Sequence, residues 1–373
     1  MNDARKSARL PVEVDDLTPT WFSSVLEREV TAATVVDRSS GTTGRARVVL
    51  EGEPGLPASV FVKLPPFDER QRAFVDATRM GVTEARFYRD LANEVPVRVP
   101  EVWFAATDGS DYVMVLEDLV ASGARFPTPD DHDIAGRMRD IVEQLARLHA
   151  RYWESDRFAA GNDLEWLAKR GAGGGDGGRW FIERAVETLG GQMDDEMDGA
   201  FHRIAAIYLA RTEDVVALWH EGAGTMIHGD PHLGNLFVDS FVDSCVDSFV
   251  DVDGERGDRT GFLDWAVVCR APGMRDVAYT LCNSVPSEVR RQVERELVDR
   301  YCELLGAADV TLDAAEAWDQ YRLHAVYSWV AAASTAGMGS KWQPIEIGLR
   351  ATRRATAACA DLDSAGLLET LLG

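Results

Sequence analysis

Apolar and polar positions change their period along the chain. Residues 15–30, DDLTPTWFSSVLEREV, carry a short helical pattern in which Thr18 is placed to cap and Pro19 to fill the first turn, where no N–H is needed. Strand-like stretches follow at 34–38, 45–51 and 59–64, separated by the turn-rich SSGTTG and EGEPGLP. The pattern then predicts a helix around 83–93 and two strands, 101–106 and 112–117, joined by the turn TDGS. Beyond Leu119 the spacing becomes helical. Within 133–153, Ile141, Leu145, Leu148 and Trp153 share roughly one face. Further helices are predicted at 179–189, 199–221, 287–305 and 312–336. GAGGGDGG at 171–178 reads as a loop; no strand precedes it and no GK[ST] follows, so it does not read as a phosphate cradle. An α+β protein is expected, with a small β-rich part over 1–118, a larger mainly helical part over 119–373, and LEDL at 116–119 as the hinge.

Composition narrows the function classes. A chain of 373 residues has length for two or three domains. The net charge of -23 excludes a nucleic-acid binder, which needs a basic face. Its simplest meaning is a well-solvated acidic surface. No run approaches the ~18 apolar residues of a membrane span, and the N-terminus shows no apolar signal segment. Cys245, Cys269, Cys282, Cys302 and Cys359 form no CxxC pair and no zinc spacing. That usage fits a reducing cytoplasm, the expected location.

The chemistry concentrates in MIHGDPHLGNLFV and the later GFLDWA. Asp230 and Asn235 stand five positions apart, the Asp-to-Asn spacing of a kinase catalytic loop. In such a loop the Asp accepts the proton of an attacking hydroxyl and the Asn turns back to hold Mg²⁺. A second metal carboxylate must come from a neighbouring strand, and Asp264 sits at a strand end. A rival reading makes His228, Asp230 and His232 the metal ligands of a hydrolase, but Pro231 and Gly234 argue for a loop rather than a strand face. Other kinase parts precede in order. SSGTTG, with Gly41 and Gly44, lies between two strands and could cover phosphates with backbone N–H groups. Lys63 ends the apolar run SVFVK, and Glu84 opens a helix from which it could pair with Lys63. Alone each is ordinary; five parts in one order are not.

With these segments the chain resembles the aminoglycoside phosphotransferase/choline kinase-like family of small-molecule kinases. HGDPHLGNLFV is similar to its catalytic loop, FLDWA to its DFG counterpart, and GMRDVAYTLC to the helix start that follows. TEARFYRDL, YVMVLEDL and LARLHARYW are also similar to family segments; the last, with LTPTWFSSVL, leans toward the ecdysteroid kinase-like branch. The resemblance implies a protein kinase-like two-lobe fold and an ATP (or GTP) and Mg²⁺-dependent phosphotransferase. By position Asp230 would be the base, Asn235 and Asp264 the Mg²⁺ ligands, and Lys63 with Glu84 the phosphate-orienting pair. The backbone near Glu117 and Leu119 would hold adenine, and Asp276 would brace the catalytic loop. No APE-containing activation segment follows Asp264, so a small-molecule hydroxyl is the expected acceptor. The alternative is a catalytically weak nucleotide-binding pseudokinase with a scaffolding role. Trp318, Trp329 and Trp342 are candidates for the acceptor pocket, or ordinary core aromatics.

One feature stands outside this scheme. Residues 238–253, VDSFVDSCVDSFVDVD, repeat a four-residue unit three times between Asn235 and Asp264. As a calcium loop it fails: with Gly254 at position six, position one is Phe249 and position twelve Thr260. It is expected to be an insertion that lengthens a hairpin between two residues meeting at one magnesium site.

Overall fold

The computed structural model describes residues 9–168, 176–189, 195–239, 259–339 and 345–373. Most of the VDSF repeat, Trp342, Cys245 and most of the glycine-rich 171–178 segment lie outside them. The chain divides into two compact units, one of Met1–Phe126 with Leu236–Val267, the other of Pro127–Asn235 with Val268–Gly373.

In the first unit α1 (Pro19–Leu26) begins as its sequence dictates: Thr18 caps it by accepting from the Trp21 N–H at 3.2 Å, and Pro19 fills the first position. Strands β1 (Val30–Ser40), β2 (Gly44–Gly52), β3 (Ser59–Leu64), β4 (Val102–Asp108) and β5 (Asp111–Glu117) form one antiparallel sheet in the order β1-β2-β3-β5-β4. Trp21, Phe22 and Val25 of α1 pack on Val48, Val60, Val62, Val113 and Val115 of the sheet. Between β3 and β4 run α2 (Glu69–Thr78) and α3 (Met80–Asp90).

A second hairpin, β7 (Leu236–Asp239) with β8 (Arg259–Phe262), belongs to this unit. It is fastened by backbone bridges. Arg125 and Val238 exchange N–H···O bonds of 2.8 and 2.9 Å, and the Phe262 N–H donates to the Arg98 carbonyl at 2.8 Å. The Arg98 guanidinium joins Asp239 and Glu117, both at 2.7 Å. The strands on either side of residues 240–258 are thus antiparallel partners, Asp239 opposite Arg259.

The second unit is mainly helical, as the pattern beyond Leu119 predicts. It contains α4 (Ile134–Tyr152), α5 (Glu165–Ala168), α6 (Asp176–Leu189), α7 (Asp195–Ala210), α8 (Thr212–Leu218), α9 (Met274–Ser284), α10 (Ser287–Ala307), α11 (Ala314–Gly337), α12 (Ile345–Asp361) and α13 (Ser364–Leu372). Two short strands, β6 (Thr225–Ile227) and β9 (Cys269–Ala271), pair antiparallel. The helix expected over 199–221 is two, broken where Arg211 leaves helical geometry at φ -135° and ψ 39°. Every residue of α9 is buried, although the helix carries Arg275, Asp276, Thr280, Asn283 and Ser284. Such a helix must satisfy its polar groups inside the unit. Trp329 is a core residue, its Nε1 donating to Thr356 at 3.1 Å, whereas Trp318 stacks on Tyr321 at 5.3 Å with Arg295 over its ring. Among the described residues no helix is long and apolar enough to cross a membrane.

Gly81 shows how closely α3 meets the sheet. A Cβ built there would lie 2.0 Å from the ring of Tyr112 on β5. Gly81→Ala is therefore expected to destabilise the protein by about 1–3 kcal/mol through overpacking, read as a lower urea midpoint with an unchanged slope.

Candidate active site

The residues singled out in the sequence fall into two groups, one within each unit. In the first unit Lys63 faces inward from β3 and is 5% exposed. Its Nζ lies 2.5 Å from Glu84 Oε1 on α3 and 3.4 Å from Asp264 Oδ1 just beyond β8. Arg45, on the neighbouring strand and paired with Lys63 in register, approaches the other Asp264 oxygen at 3.9 Å. Asp264 holds a left-handed backbone, φ 63°, which an aspartate tolerates better than a bulkier residue. The next residue, Trp265, anchors that turn by stacking on Phe87 of α3, with centroids 4.0 Å apart and planes 8° from parallel. Three residues far apart in sequence thus share one cluster, Lys63 and Glu84 buried and Asp264 partly exposed.

Glu84 is fully buried, and only one of its oxygens is bonded; Oε2 has no protein partner. Burial raises its carboxyl from 4.5 to about 7, against the opposing pull of Lys63 and with a further upward push from Asp264. One ammonium does not fully offset the cost of taking the Glu84 carboxylate out of water beside a second carboxylate.

Gly41 and Gly44 sit in the β1–β2 hairpin as expected. The Gly41 N–H donates to the Thr43 carbonyl at 3.1 Å, and a Cβ at Gly41 would meet nothing within 4 Å. Gly44 is held by packing, since a Cβ there would lie 2.5 Å from the Phe67 ring and 2.6 Å from the Pro65 carbonyl. Glu117 and Leu119 flank the end of β5. The Glu117 carboxylate accepts from Arg98 and from the Glu101 N–H, while the Leu119 carbonyl accepts from Ala124 N–H at 2.9 Å.

In the second unit Asp230 and Asn235 stand at the two ends of one tight loop. The Asn235 amide nitrogen donates to the Asp230 carbonyl at 2.9 Å and to its carboxylate at 3.1 Å. His232 lies farther off, Nε2 to Asp230 Oδ2 being 3.7 Å. His228 is fully buried, its Nδ1 accepting from the Asp230 N–H. Among the described residues no group of three His, Cys, Asp or Glu is placed to hold a metal, so His228, Asp230 and His232 are not a ligand set.

The loop is gripped by one face of α9. Asp276 accepts from the His228 N–H at 2.6 Å and the Gly229 N–H at 2.9 Å. Thr280 donates to the Pro231 carbonyl at 2.8 Å, and Ser284 accepts from the Leu233 N–H at 3.2 Å. These residues are four apart, hence stacked on one helical face. Behind Asp276, His149 Nε2 approaches at 3.3 Å and its Nδ1 meets the Tyr301 hydroxyl at 2.8 Å. Asp276 braces the loop, as its position in the sequence suggests. Tyr279 faces the Asp230 carboxylate from the same helix; burial first, and that charge second, hold its phenol well above the ordinary range, so it stays protonated.

A model of the phosphotransferase enzyme family matches residues 34–324. The chain belongs to that family. Among solved structures it is similar to the ethanolamine kinase of Plasmodium vivax, with 12% identity, coverage of 94% of this chain and 86% of that one, and a TM-score of 0.49. It is also similar to choline kinase from Cryptosporidium parvum, at 11% identity, 91% and 89% coverage and a TM-score of 0.48. The GDP complex of an aminoglycoside 2'-phosphotransferase IIIa matches at 11% identity, 92% and 93% coverage and a TM-score of 0.47. No curated protein matches the chain. Membership in the phosphotransferase enzyme family makes phosphoryl transfer the class of reaction.

Some partners of these residues escaped the sequence reading. Arg45 was one, and Thr280 and Ser284 were others. The available signal was the four-residue spacing Asp276, Thr280, Ser284 in a segment otherwise read only as a helix start.

Two measurements check these contacts. Asp276→Ala leaves two buried loop amides without a partner and Thr280→Val leaves one buried carbonyl, each at about 1–3 kcal/mol; urea unfolding should rank Asp276→Ala as the more destabilising. Glu84 makes stability depend on pH. Its native carboxyl titrates above its unfolded value, so its contribution is fully present below 4.5 and is lost as pH rises through about 7. The stability difference between wild type and Glu84→Gln should therefore fall across that window and be flat outside it.

Proposed function

We propose that this protein transfers the γ-phosphate of ATP, or GTP, to a hydroxyl of a small molecule, with Asp230 as the base. The observation that carries the reading is the Asp230–Asn235 loop, whose carboxylate is oriented by the Asn235 amide and whose backbone is fixed at four points by α9. A carboxylate so held can take the proton of an acceptor hydroxyl as its oxygen bonds to the γ-phosphorus and the bond to the β-phosphate oxygen breaks. The proton goes to Asp230 and the leaving pair of electrons to the nucleoside diphosphate.

Lys63 would meet the α- and β-phosphates, with Glu84 and the αL turn at Asp264 fixing its position beforehand. The β1–β2 turn containing Gly41 and Gly44 would cover the phosphates with backbone N–H groups, and the chain at Glu117 and Leu119 would take the adenine. Asn235 and Asp264 suit Mg²⁺ by chemistry: the Asn235 amide nitrogen is committed to Asp230, which leaves its oxygen as a hard donor, and Asp264 offers a carboxylate. When bound, Mg²⁺ supplies neutralisation of the charge on the transferring phosphoryl group. The reading places the protein in the cytoplasm with a small alcohol as its partner.

Asp230→Asn keeps the shape of the loop and removes the base. It is expected to lower kcat at least about a hundredfold while the Mg-ATP-induced rise in melting temperature persists. Nucleoside diphosphate release over a panel of small alcohols measures the first and a thermal melt the second. Near-normal turnover would remove Asp230 as the base, and the absence of any Mg-nucleotide effect on the wild-type melt would remove the kinase reading.

A further inference from the structure

Arg275 is a guanidinium buried to 3% exposure, and among the described residues no carboxylate lies within ion-pair distance of it. Arg290, buried to 1%, shows the ordinary solution, pairing with Glu294 and Asp361. Arg275 has instead one hydrogen bond, Nη2 to the Trp219 carbonyl at 2.5 Å, and the face of Tyr327, 4.8 Å from its Cζ. Neither carries a full negative charge. Its neighbour Asp276 turns away to the loop amides. A buried charge without a counter-charge is costly enough that proteins rarely retain one.

The surroundings add donors. Three buried polar atoms here have no protein partner: Arg275 Nε, Trp219 Nε1 and His324 Nδ1. They belong to one neighbourhood. The Trp219 and Tyr327 rings meet edge to face at 5.2 Å, and His324 stands three residues before Tyr327 on α11. Burial, then the charge of Arg275, holds His324 well below the usual imidazole range, so it is neutral near pH 7 and offers one N–H. Trp219 and Arg275 have only N–H groups to offer, and neither can accept. The neighbourhood is not remote from the reaction, since the Tyr327 hydroxyl points to the Gly229 carbonyl at 3.5 Å, one residue before Asp230.

We infer that Arg275, Trp219 and His324 form a binding site for an oxyanion, a carboxylate or phosphate group, in the second unit beside the Asp230 loop. The plain alternative is a structural arginine that only closes the C-terminal end of α8 through the Trp219 carbonyl. That role uses one of five donors and leaves the other unpartnered atoms unexplained.

The site is tested on the whole protein without nucleotide, so the outcome does not depend on the kinase reading. Melting temperature and tryptophan fluorescence are followed against inorganic phosphate, acetate and glycerol 3-phosphate at constant ionic strength. A saturable stabilisation is expected. It should persist in Lys63→Met, which excludes phosphate held at the proposed nucleotide site. It should weaken about tenfold or more in Arg275→Met, which removes a charged donor, and measurably in Trp219→Phe, which keeps an aromatic ring, smaller than the indole, and loses the N–H. Tighter binding of glycerol 3-phosphate than of phosphate assigns the site to an organic ligand bearing the group; equal binding assigns it to free phosphate, and acetate alone to a carboxylate. Absence of saturable binding by all three anions, or unchanged affinity in Arg275→Met, overturns the site. Should Arg275→Met not fold, unchanged affinity in Trp219→Phe overturns it instead.

Discussion

One buried ammonium organises the first unit. Lys63 is drawn to Glu84 and Asp264, two carboxylates supplied by a helix and by the turn after a hairpin. Burying that charge requires both partners, because a lysine removed from water with none would be forced toward neutrality. The surrounding architecture meets this need. Gly81 lets α3 lie against β5, which brings Glu84 under β3. Arg98, Arg125 and the Phe87–Trp265 stack fasten the β7–β8 hairpin and its following turn, which brings Asp264. The excess negative charge that remains is expressed in Glu84, whose carboxyl is raised to about 7. Arg45 leans toward the same Asp264 carboxylate from the neighbouring strand.

The second unit solves a different problem with a different device. A buried loop carries backbone N–H and C=O groups that must find partners. Here α9 does the holding with a polar ladder, Asp276, Thr280 and Ser284, that meets His228, Gly229, Pro231 and Leu233 in turn. Because the helix is buried on all sides, its own position is set by α4, α10, α11 and α12. Loop geometry is thereby inherited from helix packing, which is stiff, rather than from loop composition, which is not.

The legible parts of the sequence were those with local causes. The Thr18 cap and Pro19 mark α1, the alternation marks β2 and β3, and the Asp230-to-Asn235 spacing marks the loop. α2 went unread because its only buried residue is Val75, so it has no apolar stripe to detect, although Asp68 caps it well. The break at Arg211 carries no glycine or proline to announce it. Trp329 could be placed neither in a pocket nor in the core from sequence, because its fate depends on Thr356 and Phe201. The assignment of residues 236–267 to the first unit was likewise invisible, since it rests on backbone bridges to Arg98 and Arg125 that no side-chain pattern encodes.

These two devices differ in what a single substitution does to them. In the Lys63 cluster the partners share one charge, so the effects of removing them should be strongly non-additive. In the α9 ladder each contact satisfies a separate loop amide or carbonyl, so losses should sum more nearly. Arg275 sits at the junction between these cases: it occupies the ladder helix, one residue from Asp276, yet it carries a charge and not merely a hydrogen bond. Its burial, with its own Nε unpartnered beside two other unpartnered polar atoms, is not demanded by the loop, which Asp276 already holds. A cation kept where the scaffold does not need it points to a ligand that does.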